Sequence, residues 1–313
     1  MAKSGTKRLA QFHKPVSRKI DNSNNREFAD RQMYSDETLL PEFRRSWKIQ
    51  QEVAQTSSSE SSDFGNASSG VWYATYGTHV SRALMQRSGA EFMPEVVIGR
   101  DDRVRITNTR EYPYGAICSL EITASTGRQF VGTGWLASNR TVVTAGHCLY
   151  MPEQGGWAKR IRVFPGRNGV DSGSEPISAA SLHSVEGWTE LREPAADYGA
   201  IQLNDEVEGS GHLGFVALKS KDLKKNLYHV AGYSADKPLG TLWGHVRPLK
   251  EIRDDVLYYE TDTYGGNSGG PVFFRDDEDD IYVVGIHNYG DISGNSATRI
   301  TETVFETIAE WVS

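Results

Sequence analysis

The chain contains 313 residues, of which 38% are hydrophobic and 24% are charged, a composition typical of a globular protein with one or two domains. No run approaches the roughly 18 apolar residues that a membrane-spanning helix needs, and a formal net charge of −7 argues against a general nucleic-acid binder. The two cysteines, Cys118 and Cys148, exclude a disulfide-rich scaffold and a four-cysteine zinc site.

The first 95 residues differ in composition from the rest of the chain. They carry a net charge of +2, whereas the remainder carries −9. Their serine-rich stretch 56–63 cannot bury enough apolar surface to offset the entropy lost on ordering. Six basic side chains occur in the first 20 residues, but no apolar core of a secretory signal follows Ile20. We therefore predict that residues 1–95 are an extension or propeptide that is partly disordered.

From residue 96 to residue 313 the chain alternates short apolar runs with turn signals, which predicts an all-β domain. Such runs without long helices between them are typical of an antiparallel sandwich or barrel. The last segment, Thr301–Val312, has apolar residues at helical spacing and predicts one closing amphipathic helix. The predicted strands are, in chain order, Val96–Ile98, Ala116–Ile122, Phe130–Leu136, Thr141–Ala145, Arg160–Phe164, Gly199–Leu203, Leu227–Tyr233, Leu257–Thr261, Pro271–Phe274 and Ile281–Ile286.

Two short segments carry residue types suited to nucleophilic catalysis. In the first, a β-branched strand ends in Ala145-Gly146 and presents His147. In the second, Ser268 lies in a turn rich in glycine, which lets a turn expose a hydroxyl and direct several N–H groups inward. A serine hydroxyl becomes a strong nucleophile when a histidine removes its proton, and a carboxylate is then needed to orient that histidine.

The two segments, in this order and 121 positions apart, resemble the chymotrypsin-like serine proteases over roughly residues 96–313. The resemblance implies two antiparallel β-barrels with the active site in the cleft between them. It also implies a triad of His147 as general base, Asp197 as its orienting carboxylate and Ser268 as nucleophile. Asp197 fits because an apolar strand follows it directly. The backbone N–H groups of Gly266 and Ser268 would form the oxyanion hole.

A narrower resemblance is to the bacterial glutamyl endopeptidases, whose patterns match the Val96-Val97-Ile98-Gly99 segment, the Asp262–Ser268 segment and the Val284–Asn288 segment. It implies a preference for Glu or Asp at the cleaved bond, recognised by Thr263 and His287. A buried carboxylate needs hydrogen-bond donors, and a threonine hydroxyl and an imidazolium can both supply them. The backbone from Asn288 to Gly290 would pair with the substrate as an added strand.

Asp262 leaves a second specificity open. It lies six positions before Ser268, where trypsin-like enzymes place the acid that binds Arg or Lys. We favour an orientation in which Asp262 points away from the pocket, because His287 would be oddly placed in a pocket for basic side chains.

Two positions depart from the trypsin pattern. Asn267 replaces the aspartate that pairs with a new amino terminus, so trypsin-style activation is in doubt. Gly132 stands approximately where the usual partner of Cys148 would be. A Cys118–Cys148 disulfide and two free buried thiols both remain open.

The sequence thus predicts a serine endopeptidase that acts on polypeptides as a monomer, with no cofactor, no metal, no nucleic-acid partner and no membrane span. The alternatives are an Arg/Lys-specific protease and a non-catalytic binding protein on a protease scaffold. Relatives are secreted, but no export signal is visible, so a cytoplasmic location and non-classical export stay open. We also hypothesise that a cut between Glu95 and Val96 removes residues 1–95 and raises activity towards Glu substrates.

Overall fold

The structure is a computed structural model, and it describes residues 12–21, 101, 103–170, 173, 175–260, 263, 265–276, 279–291 and 294–312. The predicted strand at Val96–Ile98, the predicted boundary at Glu95–Val96 and the side chain of Asp262 lie outside these residues.

Seventeen strands and four α-helices occur in the described residues, together with three short 3-10 helices at Tyr114–Ala116, Pro152–Gln154 and Pro194–Ala196. The strands are β1 (Pro15–Lys19), β2 (Val104–Ile106), β3 (Ile117–Thr123), β4 (Gln129–Leu136), β5 (Thr141–Thr144), β6 (Tyr150–Met151), β7 (Gly156–Trp157), β8 (Arg160–Pro165), β9 (Ile177–Val185), β10 (Gly199–Leu203), β11 (Gly214–Phe215), β12 (Leu227–Gly232), β13 (Leu242–Ile252), β14 (Val256–Tyr259), β15 (Pro271–Arg275), β16 (Ile281–Asp291) and β17 (Gly294–Arg299). The helices are α1 (Gly146–Leu149), α2 (Glu186–Thr189), α3 (Ser220–Leu223) and α4 (Glu302–Val312).

The first barrel consists of six antiparallel strands in the order β9, β10, β5, β4, β3 and β8. It closes where β8 pairs with β9, and β1 adds a seventh strand outside the ring. Strands β3, β4 and β5 are buried along almost their whole length, and the buried residues include polar ones such as Ser119 and Thr133. Their side chains fill the barrel interior, with Trp135 fully buried among them.

The second barrel contains β12 to β17 and closes where β16 pairs with β17. Strand β2 adds to β13, and β11 adds in parallel to β16. A small apolar cluster that includes Leu257, Val272 and Val284 fills this barrel. Two closed antiparallel six-stranded barrels confirm the all-β, chymotrypsin-type prediction.

The C-terminal helix α4 confirms the predicted closing helix, and its first residue is Glu302. The side chains of Val304, Ile308 and Trp311 are buried, and they recur at the spacing of one helix face. The helix packs on the first barrel, where the backbone oxygen of Trp311 accepts a hydrogen bond from Thr141 Oγ1 at 3.3 Å. Among the described residues, no helix has the length and hydropathy needed to cross a membrane.

Strand β1 comes from the range that the sequence predicts to be an extension. Its five residues pair antiparallel with Ser181–Val185 of β9. Residues 12–21 are therefore part of the first sheet, whereas the rest of the predicted extension lies outside the described residues. The division of the chain at residue 96 stays a prediction.

Candidate active site

His147 and Asp197 enter the site from neighbouring strands of the first barrel. Strand β5 ends at Thr144, and the one-turn helix α1 then presents His147. A 3-10 turn ends at Ala196, and Asp197 follows it just before β10 begins at Gly199. Because β5 and β10 pair with each other, with Gly199 opposite Thr144, the two side chains emerge at the same end of the sheet.

The Asp197 carboxylate binds His147 through both of its oxygens. Its Oδ1 accepts the backbone N–H of His147 at 2.7 Å, and its Oδ2 lies 2.7 Å from the ring Nδ1. Asp197 is fully buried and His147 is nearly so. A carboxylate in this position keeps the proton on Nδ1 and leaves Nε2 able to act as a base.

Strand β16 of the second barrel supplies two further contacts to Asp197. Tyr289 donates its hydroxyl hydrogen to Oδ2, and Asn288 Nδ2 donates to the backbone oxygen of Asp197 at 2.8 Å. The ring of Tyr289 lies 5.7 Å from that of His147, measured between centroids. Sequence reasoning missed the contact of Tyr289 with Asp197, because nothing local in the sequence links an aromatic residue on β16 to a carboxylate 92 positions earlier.

The pKa of His147 is set by two opposing effects. Burial favours the neutral ring and would lower the pKa, but the adjacent negative charge of Asp197 outweighs it. The pKa of His147 is consequently raised well above its ordinary value of 6.5. This direction suits a group that must hold a proton between two steps of a reaction.

Ser268 lies in the turn that precedes β15, and this turn packs tightly on the first barrel. Gly269 has a φ of +87°, and a Cβ at this position would collide with Thr144 Oγ1 and the Thr133 backbone oxygen. The Ser268 backbone oxygen accepts the Thr133 N–H at 2.9 Å. The turn thus lies against the segment that carries His147, with contacts that only glycine at position 269 permits.

The carbonyl oxygens of Gly265 and Asn267 both accept backbone hydrogen bonds. The Gly265 oxygen accepts the Ala235 N–H at 2.7 Å, and the Asn267 oxygen accepts the Gly270 N–H at 2.8 Å. In a trans peptide the following N–H points opposite to the carbonyl. The N–H groups of Gly266 and Ser268 are therefore directed away from these two contacts, and a φ of +99° at Gly266 accompanies this arrangement.

Asn267 is held by a buried chain of side chains from outside the turn. Arg103 Nη1 donates to Ser234 Oγ at 3.1 Å, and the Ser234 hydroxyl donates to Asn267 Oδ1 at 2.8 Å. Arg103 itself forms ion pairs with Asp101 and Asp236. Since a guanidinium can only donate, the direction of every hydrogen bond in this chain is determined. The position that pairs with a new amino terminus in trypsin is thus bound here by side chains of the protease body.

The predicted specificity residues Thr263 and His287 are both buried. Thr263 is 1% exposed, and its Oγ1 has no hydrogen-bond partner in the described part of the chain. His287 is 0% exposed, and its Nδ1 lies 2.5 Å from the hydroxyl oxygen of Tyr259. The backbone of His287 also pairs with the turn that contains Ser268, because the His287 oxygen accepts the Gly269 N–H at 2.7 Å. Gly290 lies on β16 beyond Asn288.

The structure decides between a Cys118–Cys148 disulfide and two free thiols. Cys118 and Cys148 are both free and buried, so the Cys118–Cys148 disulfide is not formed. A Cβ at Gly132 would lie 2.9 Å from Cys148 Sγ, so residue 132, rather than residue 118, faces Cys148. Burial raises the pKa of the Cys118 thiol, which keeps it protonated and unreactive.

Comparisons with known proteins agree with this geometry. The sequence profile of the family called Trypsin matches residues 106–312. The chain is 36% identical over 231 residues to the extracellular metalloprotease of Bacillus subtilis (strain 168), covering 73% of this chain and 74% of that protein. It is 36% identical over 230 residues to the glutamyl endopeptidase of Bacillus licheniformis, covering 71% of each chain.

More distant relatives and solved structures fit the same pattern. The chain is 27% identical over 234 residues to the glutamyl endopeptidase of Staphylococcus aureus, covering 71% of this chain and 65% of the protein from strain MW2. A solved Glu endopeptidase in complex with MPD has a TM-score of 0.61 and 24% identity, covering 69% of this chain and 99% of that chain. The protease Anisep from Arthrobacter nicotinovorans has a TM-score of 0.53 and 21% identity, covering 63% and 95%.

The name of the B. subtilis relative refers to a metal. In the part of the chain that the structure describes, no group of three or more His, Cys, Asp or Glu side chains is placed to hold one. The matched profile, the glutamyl endopeptidase relatives and the two-barrel fold all indicate the trypsin family. The chain belongs to the trypsin family and is a serine endopeptidase related to the glutamyl endopeptidases.

Proposed function

We propose that the chain hydrolyses peptide bonds with the triad His147, Asp197 and Ser268. Ser268 attacks the substrate carbonyl while His147 Nε2 takes the hydroxyl proton, and His147 then gives that proton to the leaving amine. Water, activated by His147 in the same way, releases the acyl group from Ser268. Support comes from the two 2.7 Å hydrogen bonds between His147 and Asp197, which fix the ring and its tautomer.

The N–H groups of Gly266 and Ser268 stabilise the negative charge that develops on the carbonyl oxygen. Each such donor lowers the barrier by about 3 kcal/mol in comparable enzymes. The support is the orientation of the two peptide groups, whose carbonyls are bound to Ala235 and Gly270 on the opposite side.

The side chain accepted before the cleaved bond is acidic in this proposal, with Glu preferred. The observation that carries this is Thr263 Oγ1, a buried hydroxyl without a hydrogen-bond partner in the described chain. An unsatisfied buried hydroxyl costs free energy, and a substrate carboxylate would remove that cost. His287, buried and held by Tyr259 at one ring nitrogen, would donate from the other. The glutamyl endopeptidases of B. licheniformis and S. aureus carry the same specificity in their names.

The rival specificity for Arg or Lys depends on Asp262 alone. That side chain lies outside the described residues, so the rival rests on the sequence pattern. Thr263 and His287 both offer donors, which do not favour a cationic side chain.

Labelling with a fluorophosphonate tests the triad directly, because the probe reacts only with an activated serine. We expect the wild-type chain to be labelled at Ser268 and the variants Ser268→Ala and His147→Ala to remain unlabelled. Peptidase activity should fall by several orders of magnitude in both variants, since triad members act as a unit. An unlabelled wild-type chain would favour a non-catalytic binding protein on this scaffold.

We further propose that the protease body begins at Val96 and that a cut after Glu95 matures the enzyme. The composition change near residue 95 supports this division. We also propose that the protein is exported, because the relative from B. subtilis is named an extracellular protease. Sequencing of the amino terminus of active enzyme tests the cut. Val96 as first residue supports the cut, whereas an uncut chain with full activity and full Glu selectivity contradicts it.

A further inference from the structure

The edge of strand β9 is shared by two partner strands. Strand β8 pairs only with the first part of β9, with Val163 opposite Ile177 and Arg162 opposite Ser178. Strand β1 pairs with Ser181–Val185 along the same edge. Without β1, the second half of β9 would present unpaired backbone groups, which is an unfavourable state for a strand of a closed barrel.

The hydrogen bonds at the two ends of β1 determine which of its N–H groups face β9. The Ile20 N–H donates to the Ala180 oxygen at 2.8 Å, and the Glu186 N–H donates to the Lys14 oxygen at 2.9 Å. Hydrogen-bonded pairs alternate in an antiparallel ladder, so Arg18 opposite Leu182 is also a hydrogen-bonded pair. The N–H of Ser17, between these positions, points away from β9.

Side chains at the start of the segment anchor it on helix α2. Phe12 packs against the main hydrophobic core. The Phe12 backbone oxygen would lie 2.5 Å from a Cβ at Gly187, so the two backbones approach as closely as a glycine allows. Lys14 forms an ion pair with Glu186, although Lys14 is largely exposed and the pair contributes little on its own.

The segment also contacts the parts of the first barrel that hold the catalytic side chains. His13 Nδ1 lies 2.9 Å from the Tyr198 hydroxyl oxygen, and Tyr198 is the residue after Asp197. The ring of Trp188, on helix α2, packs edge-on at 6.3 Å from that of His147. Residues 12–21 thus support the barrel wall directly behind the triad.

We propose that residues 12–21 are a permanent seventh strand of the first barrel, which stays bound as a separate peptide when the chain is cut after Glu95. The mature enzyme then consists of two chains, residues 1–95 and residues 96–313, which are held together by the pairing of β1 with β9. This rests on the proposed maturation only for the position of the cut. Under this proposal the cut after Glu95 does not release residues 12–21 from the protein, whereas the sequence-based hypothesis removes the whole segment 1–95.

Limited digestion of the full-length Ser268→Ala variant tests the retention without using the enzyme's own activity. The first glutamate of the chain is Glu27, so an added Glu-specific protease can cut between residues 27 and 95 and leave residues 12–21 intact. We expect the fragment with residues 12–21 to elute with the protease body on native gel filtration and to separate from it in denaturant. Separate elution under native conditions would overturn the proposal, whether or not the maturation site is correct.

A matched pair of proline variants tests whether the pairing with β9 holds the segment. Arg18 and Ser17 are both exposed, and they differ in the direction of the backbone N–H. Arg18→Pro removes a ladder donor, whereas Ser17→Pro removes a donor that points away from β9. After digestion, we expect Arg18→Pro to lose the fragment and Ser17→Pro to keep it.

Amide hydrogen exchange on the uncut variants separates local release from general unfolding. In Arg18→Pro, exchange should accelerate by at least about tenfold at Leu182 and Ser184, while Val230 in the second barrel stays as protected as in the parent chain. Equal protection at Leu182 and Ser184 in all three proteins would contradict the proposal. Faster exchange at Val230 as well would mean that β1 is needed for folding as a whole, which also contradicts a locally held strand.

Discussion

At the scale of single residues, Asp197, the carboxylate of the proposed triad, is held by three hydrogen bonds. Asp197 accepts hydrogen bonds from the His147 backbone, the His147 ring and the Tyr289 hydroxyl. The first holds the His147 backbone and the second holds its imidazole, whereas the third comes from the other barrel. Tyr289 is therefore a positioning residue that competes with His147 for the negative charge of the carboxylate.

The acid limb of the pH–rate profile should reflect this competition. His147 acts as a base only when neutral, and its pKa is raised above 6.5, so kcat/KM should fall as the pH drops through a value above 6.5. Tyr289→Phe leaves more negative charge for the imidazolium, raises the pKa of His147 further and moves the limb to higher pH. The control Tyr228→Phe removes a hydroxyl bonded to the Leu223 oxygen and should leave the limb in place. An unchanged limb in Tyr289→Phe would remove its positioning role.

The buried hydroxyl of Thr263 should account for much of the selectivity between Glu and Gln. Thr263→Val keeps the shape of the side chain and removes the donor, so the ratio of kcat/KM for Glu over Gln peptides should fall about 10- to 100-fold, the range expected for a hydrogen bond to a charged group. Thr263→Ser keeps a hydroxyl and should restore most of the ratio. If Thr263→Val retains the wild-type ratio, Thr263 does not contact the substrate carboxylate.

At the scale of elements, the turn that carries Ser268 depends on close contact with the first barrel. Gly269→Ala would force a Cβ into Thr144 Oγ1 and the Thr133 oxygen, in addition to the strain of a positive φ. Gly127 is the matched control, because its φ of +88° is nearly the same and a Cβ there meets nothing within 4 Å.

We expect Gly127→Ala to lower the free energy of unfolding by about 1–3 kcal/mol, the cost of a left-handed non-glycine residue. Gly269→Ala should cost clearly more and should abolish fluorophosphonate labelling. Thermal unfolding of the two variants beside the parent measures the difference. Similar losses of stability in both variants would show that the turn tolerates a side chain at 269.

The sequence predicts strands whose apolar residues recur over a short run, including β8 and β12, which are only partly buried. Strands β3, β4 and β5 are almost wholly buried, and their predicted bounds agree with the structure to within one residue at every end. Strand β9 was missed because its sequence is rich in Ser and Ala and its buried residues do not alternate regularly with the half-exposed ones. Strand β1 was missed because four of its five residues are exposed, so it has the composition of a soluble tail.

The same distinction applies to the candidate site. His147 and Ser268 lie in local patterns of glycine and small residues, and these patterns identify them without a structure. Asp197 could be placed only through the order that the resemblance implies. The contacts of Tyr289 and Ser234 join residues far apart in sequence, and no local pattern predicts such contacts.

At the scale of the whole molecule, the proposed mechanism divides one reaction between the two barrels. The first barrel holds the base and its carboxylate, with β1 supporting the wall behind them. The second barrel supplies the nucleophile turn, the buried specificity residues and the buried side chains that bind Asn267. The proposed substrate site therefore contains residues of both barrels.

The proposed preference of this serine endopeptidase for an acidic side chain is tested most directly by cleavage of matched peptides. Three peptides that differ only in Glu, Gln or Arg before the cleaved bond should be incubated with the active wild-type enzyme, with Ser268→Ala as the blank. We predict the highest kcat/KM for Glu, a value at least about tenfold lower for Gln, and negligible cleavage after Arg. Cleavage after Arg with the Glu peptide left intact would contradict the claim and assign the pocket to Asp262.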